Sequence, residues 1–130
     1  MKKYFLDTNV ILRYLLQDNP VQCDEADEAF QEAKNREVEL VLCQAIIFEA
    51  FYVLVKYYEI EKKIVIEMLG KIINIPYLSV ENRSEFSEAI LRFSQANVSL
   101  IDCFLVAKAE SVGAHVLSFD KDIKKLKKSQ

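Results

Sequence analysis

Four acids stand out by the company they keep. Asp7 ends the apolar run "YFLD" (4–7), Glu49 interrupts "AIIFEAFYVLV" (45–55), Asp102 sits in "SLIDCFLVAKA" (99–109), and Asp120 follows "AHVLSF" (114–119). Glu49 poses the sharpest question. Its helical neighbours three and four residues away are Ala45, Ile46, Tyr52 and Val53, none of them a cation. An ionised carboxylate buried in such surroundings must neutralise, pair or bind a metal. Carboxylates gathered at one place also repel one another, by about 4 kcal/mol for a close pair at an effective dielectric near 20. An oxygen-only donor set favours a hard cation, Mg²⁺ or Mn²⁺. Zinc is disfavoured, because the sole histidine, His115, lies in an expected strand and suits packing there.

Plainer roles exist for each acid. Asp7 and Asp120 both precede helical patterns and fit helix caps. Ser99 and Asp102 match the S-x-x-D capping pattern. Glu49 is no cap, but a distant Arg or Lys would also satisfy it. The acidic cluster Asp24, Glu25, Asp27 and Glu28 reads as a solvated helix face near a helix start.

Periodicity supplies the elements that must position these residues. Residues 4–7 read as a first buried strand, followed by a helix with Val10, Ile11, Tyr14 and Leu15 on one stripe. Pro20 suits the first turn of a helix over 20–34. Residues 38–43 read as a second strand, and the helix bearing Glu49 runs to about Tyr58. A further helix over 61–75 has Ile64, Met68, Ile72 and Ile75 inward, and Gly70 within it points to a close helix contact. Residues 76–80 form a third expected strand. Helices over 84–95 (Phe86, Ile90 and Phe93 inward) and 100–111 follow, and Gly113 is placed as a left-handed stop. Residues 114–119 read as a fourth strand and "KDIKKLKK" as a short terminal helix.

Strands that alternate with helices and are nearly all apolar indicate α/β architecture. The expectation is a three-layer sandwich whose parallel sheet of four or five strands is covered on both faces. Ligands of such sheets bind beyond the carboxyl ends of the strands. Asp7, Asp120 and the helix bearing Glu49 belong on that edge, whereas Asp102's end of the sheet is not fixed by the pattern.

The 130 residues suit one domain, 1–130. A net charge of −3 excludes bulk attraction to nucleic acid, so any such binding needs a local patch or a metal. Lys121, Lys124, Lys125, Lys127 and Lys128 lie near Asp120 and suit a solvated helix end or phosphate contacts. Tyr14, Tyr52, Tyr57 and Tyr58 suit core or interface packing better than base stacking. Three widely spaced cysteines without a C-x-x-C pair fit reduced thiols in the cytoplasm. Gln44, Glu49 and Lys56 interrupt residues 40–58 and argue against a membrane span.

Taken together, "LDTNVILRYL", the lone acid in "QAIIFEAFYVLVKYY", "VSLIDCFLVAKAESVGA" and "VLSFDKDIKKL" resemble the PIN domain, and within it the VapC-type toxins of toxin–antitoxin pairs. The resemblance covers almost the whole chain. It implies a cytoplasmic metal-dependent endoribonuclease whose ligands fall on Asp7, Glu49, Asp102 and Asp120, with Thr8, Asn9 and Ser118 as supporting polar residues. It further implies Mg²⁺ or Mn²⁺ as cofactor and products with a 5′-phosphate and a 3′-hydroxyl. The implied partners are an RNA substrate, a second copy in a homodimer, and an antitoxin docking on the segment 20–75.

Other classes fit less well. A receiver-type phosphoacceptor needs an acidic pair after the first strand and an Asp after the third, where only Glu81 follows. A haloacid-dehalogenase-type phosphatase needs D-x-D, and Asn9 takes the second place. A PIN nuclease of RNA processing, or a silent binding module on the same scaffold, shares the motifs and is separated by metal-dependent RNA cleavage.

Overall fold

The computed structural model describes residues 1–126, which divide into two compact units, Met1–Glu81 and the residues from Asn82 on. The first unit holds a parallel sheet flanked by helices. Strand β1 (Lys2–Phe5) leads to helix α1 (Thr8–Leu16) and helix α2 (Pro20–Lys34). Strand β2 (Val38–Leu42) leads to α3 (Gln44–Tyr52), a π-helical turn (Val53–Tyr57) and α4 (Lys62–Ile73), and strand β3 (Ser79–Val80) closes the unit. Each parallel pair requires a crossover, which the two helical segments supply.

The sheet order is β1-β2-β3. β1 pairs with β2 from Lys2↔Val38 to Phe5↔Val41, and the Leu6 N–H extends the ladder to the Val41 carbonyl at 2.9 Å. β2 pairs with β3 at Val41↔Ser79 and Leu42↔Val80. Leu40, Leu42, Ile47, Leu54, Leu69 and Ile72 form the centre of this core. Local chemistry explains the boundaries. The Asn19 side chain caps α2 by accepting from the Gln22 N–H at 3.1 Å, with Pro20 at the first helical position. Gln17, at φ 54°, turns the chain out of α1.

The second unit is helical: α5 (Arg83–Gln95), α6 (Leu100–Ser111) and α7 (Lys121–Leu126). Phe86 and Phe104 rings meet with centroids 4.4 Å apart. The buried Arg92 of α5 pairs with Glu88 at 3.2 Å and with Glu110 of α6. Burial opposes its charge, but the two acids outweigh that cost and raise the guanidinium's pKa further. Gly113, at φ +70°, ends α6 in a Schellman arrangement: its N–H reaches the Glu110 carbonyl and the Ala114 N–H reaches that of Ala109.

Several expectations are corrected. The sheet has three strands among the described residues, not four or five. Residues 114–119 form no strand; Leu117 is 95% and Phe119 98% exposed, and His115 is exposed rather than packed. An apolar run becomes a strand only where a neighbour pairs with it. In α4 the buried side chains are Val65, Leu69, Ile72 and Ile73; of the expected inner residues Ile72 and Ile75 are buried, Met68 is half-buried and Ile64 is exposed. A Cβ at Gly70 would meet nothing within 4 Å, so no close helix contact explains it. Lys127 and Lys128 lie outside the described residues.

Candidate functional site

Asp7 lies just past β1, at the carboxyl edge of the sheet, and is the N-cap of α1. Its Oδ1 accepts from the Thr8 N–H at 2.8 Å. Thr8 is buried, and its hydroxyl donates to Glu49 Oε1 on α3. Thr8 thus ties both acids of the first unit to one residue, through its main chain and its side chain. The link spans 41 residues of sequence. Asp7 Oδ2 and Glu49 Oε2 take no hydrogen bond among the described residues. Both acids are exposed. The expectation that Glu49 sits in oily surroundings is therefore corrected: its helix turns it to solvent, where its charge costs little.

The other two acids belong to the second unit. Asp102 is half-buried in the first turn of α6, where its N–H donates to Ser99 Oγ at 3.1 Å. Asp120 is exposed and precedes α7, and its Oδ1 accepts from the Asp122 N–H at 2.8 Å. Ser118 Oγ accepts from the Asp120 N–H at 3.0 Å. The capping roles of Asp7 and Asp120 and the Ser99–Asp102 pattern are thus all present. A cap occupies one carboxylate oxygen and leaves the other for a ligand. Asn9 is exposed and lines a 290 Å³ cleft between α1 and α2 with Val10, Arg13, Gln22, Glu25, Ala26 and Ala29. Neither unit by itself gathers three His, Cys, Asp or Glu side chains into a metal-holding group among the described residues.

Two residues escaped the sequence reading. Glu81, directly after β3, accepts from the Gln44 N–H at 2.6 Å and so caps α3 from 37 residues away. Cys43 at the N-cap makes no such bond. A helix that opens on a weak acceptor such as cysteine needs an outside one, and that is the signal that points to Glu81. Arg13 is held by the Tyr58 hydroxyl at 2.9 Å and Asp18 at 3.1 Å. The Tyr58 hydrogen bond is the main cause of its raised pKa. Tyr14 stacks on Phe30 at 4.0 Å, as core packing requires, whereas Tyr52 and Tyr57 are exposed and outside the core.

A helix-flanked parallel sheet with an acid at the carboxyl edge of its first strand, and the motifs around it, define the class. The model of the PIN domain family matches residues 4–129, and the chain belongs to that family. It is also similar to a VapC ribonuclease of Aquifex aeolicus (strain VF5), with 29% identity over 122 residues that cover 93% of this chain and 90% of that protein. No helix among the described residues is long and apolar enough to cross a membrane.

Proposed function

We propose that this chain is a single-domain, Mg²⁺- or Mn²⁺-dependent endoribonuclease that hydrolyses RNA phosphodiester bonds, and that it is the toxin of a VapBC-type pair. The family match running from residue 4 to 129, with the likeness to a VapC ribonuclease over nearly its whole length, supports this most directly. The motif positions assign the metal to Asp7, Glu49, Asp102 and Asp120. The donor chemistry fits: every ligand is a carboxylate, and Asp7 and Glu49 each keep one oxygen outside their bonds to Thr8. A bound divalent ion would lower the pKa of a water and stabilise charge on the phosphate.

The chain's own groups do the rest. The Thr8 hydroxyl fixes the Glu49 carboxylate, limiting the rotamers it must lose on binding. Glu81 secures the first turn of α3 and so the helix that carries Glu49. One carboxylate accepts the proton of the attacking water. The new P–O bond forms as the bond to the 3′ oxygen breaks, and that oxygen takes a proton to leave as the 3′-hydroxyl. The partners that follow are an antitoxin and a second copy of the chain, and the compartment is the cytoplasm.

The test is cleavage of a mixed RNA pool by purified, antitoxin-free protein with Mg²⁺ or Mn²⁺, stopped by EDTA. Asp7→Asn and Asp102→Asn are each expected to lower cleavage at least about a hundredfold while the metal-free melting temperature holds or rises. Cleavage that survives EDTA, or a folded wild type that cuts no RNA, would overturn the reading. A small adjacent reading frame encoding a DNA-binding protein would support the toxin role.

A further inference from the structure

Helix α3 and the π-helical turn that continues it are tied to α1 at two points. At the start of α1, the Thr8 hydroxyl donates to the Glu49 carboxylate. Further along α1, Arg13 Nη2 donates to the Tyr58 hydroxyl at 2.9 Å, and Arg13 Nη1 pairs with Asp18 at 3.1 Å. A single bond between two helices fixes a distance and leaves them free to pivot about it. A second bond, about 7.5 Å further along α1, fixes their angle as well.

The second bond depends on the π-helical turn. In an uninterrupted α-helix, the step from Glu49 to Tyr58 makes about two and a half turns, which would point Tyr58 away from the side that carries Glu49. The turn Val53–Tyr57 is wider, and the Tyr58 N–H reaches the Val53 carbonyl five residues back at 3.1 Å. Its additional residue holds the rotation back by roughly a quarter turn, toward the side of Glu49 and α1. Such turns are rare and occur frequently at functional sites. The bond also carries a cost, because Arg13 Nε is buried with no acceptor among the described residues. Apolar side chains of similar shape would join the two segments without leaving a donor unmet. Stability alone therefore does not account for an arginine and a tyrosine hydroxyl here.

We propose that Arg13 and Tyr58 are a positioning pair, whose bond is the second point of a clamp that holds Glu49 in place for a divalent cation. The clamp rests on the nuclease reading above, which gives Glu49 to the metal. Asp7 caps the same helix that carries Thr8 and Arg13, so the clamp also sets where the two carboxylates stand relative to each other. Arg13 and Tyr58 act only through the two helices. Metal sites need their ligands placed within about 0.5 Å, and groups that orient ligands contribute about 10–100-fold in affinity or activity.

Tyr58→Phe removes one hydroxyl and keeps the ring. In RNA-free protein, a Mn²⁺ titration followed by the electron paramagnetic resonance of the free ion is expected to reach half-saturation at about tenfold higher Mn²⁺ than in wild type. In steady-state cleavage at a fixed, subsaturating Mn²⁺ concentration, kcat is expected to fall about as far, with the KM for RNA within about twofold. Arg13→Met keeps an unbranched stem and is expected to show the same loss. Thr8→Val breaks the first point of the clamp, so adding Tyr58→Phe to it is expected to weaken Mn²⁺ binding no further. Circular dichroism and melting temperatures check that the variants fold. If wild type binds Mn²⁺ and cuts RNA while a folded Tyr58→Phe keeps wild-type half-saturation, the clamp is wrong and the nuclease reading stands. Losses that multiply in the double variant also overturn the clamp, because the two bonds would then act independently. If Tyr58→Phe and Arg13→Met both lose the fold, the pair serves stability alone and the positioning role is rejected. A wild type that neither binds Mn²⁺ nor cuts RNA overturns both proposals.

Discussion

The chain uses one phrase twice, with different results. "YFLDTNVILRYLL" and "VLSFDKDIKKL" each run from apolar residues through an aspartate into a helix. In the first, β1 pairs with β2, Leu6 continues the ladder, and Thr8 locks the turn to α3. In the second, residues 114–119 pair with no strand among the described residues, Leu117 and Phe119 face water even more fully than Tyr4 and Phe5 of β1, and α7 spans Lys121–Leu126. The aspartate caps its helix in both. What differs is the long-range part: a parallel neighbour and a side-chain bond across 41 residues. A local pattern nominates a strand, and a partner makes it one.

Matched truncations probe this contrast most strongly. Leu6, 6% exposed, and Phe119, 98% exposed, each immediately precede the aspartate. Leu6→Ala is expected to destabilise by about 3 kcal/mol through lost burial and a cavity. Phe119→Ala is expected to stay within about 0.5 kcal/mol. Urea melts of both variants decide it. A loss of several kcal/mol at Phe119 would mean that the second run is packed after all, and the contrast would disappear.

The next largest effect concerns the bond that the second copy of the phrase lacks. Thr8→Val keeps shape and volume but removes the donor to Glu49. Hydrogen bonds to charged groups contribute up to about 3 kcal/mol, but Glu49 is exposed and water replaces much of the loss. A cost of about 1 kcal/mol is expected, with Thr8→Ser close to wild type. Lys121, which follows Asp120, is exposed and makes no comparable bond among the described residues, so Lys121→Ala should stay within about 0.5 kcal/mol. Equal effects at the two positions in thermal melts would show that the Thr8 link does not distinguish the regions.

Where sequence reading succeeded and failed follows the same division. Pro20 and the apolar spacing located α2 at 20–34, and Phe86, Ile90 and Phe93 located the inner face of α5, because helices are largely local. The α4 sequence offers two overlapping apolar stripes, and only packing selects the one through Val65 and Leu69. Strand formation at 114–119 depends on a neighbour that no local pattern reveals. The acids were visible as residue types. The exposure of Glu49 was not, because apolar neighbours in sequence do not say which face a helix turns to water. Nor did any spacing announce the Thr8–Glu49 bond or the capping of α3 by Glu81.

The two glycines carry the contrast between used and unused features to single residues. Gly113 holds φ +70° at the end of α6, where an L side chain is strained, and Gly113→Ala should cost about 1 kcal/mol. Gly70 lies inside α4 with open space around its missing Cβ, so Gly70→Ala should stabilise by about 0.5–1 kcal/mol. Opposite signs in paired denaturation curves are the expected result. A loss at Gly70 would reveal a constraint on α4 that its surroundings do not contain.

The smallest effect separates the held part of the second unit from the unpaired run that follows it. Glu85, in the first turn of α5, accepts a hydrogen bond from its own backbone N–H. Ser111 of α6 adds a bond at 3.2 Å and Lys108 a charge at 3.5 Å. Burial opposes these, but the balance lowers the carboxyl's pKa. The folded state therefore binds this proton less readily than the unfolded chain. Glu85's contribution to stability is complete above the ordinary glutamate pKa of about 4.3 and is lost as pH falls through its lowered folded value. Urea midpoints measured from about pH 6 down to pH 3 should decline in wild type and decline less steeply in Glu85→Gln. The partners are partly hydrated, so the difference is small. Identical acid limbs would mean that Glu85 is no better anchored than the exposed residues at 114–119, and that its bonds to Ser111 and Lys108 add nothing to the joining of α5 and α6.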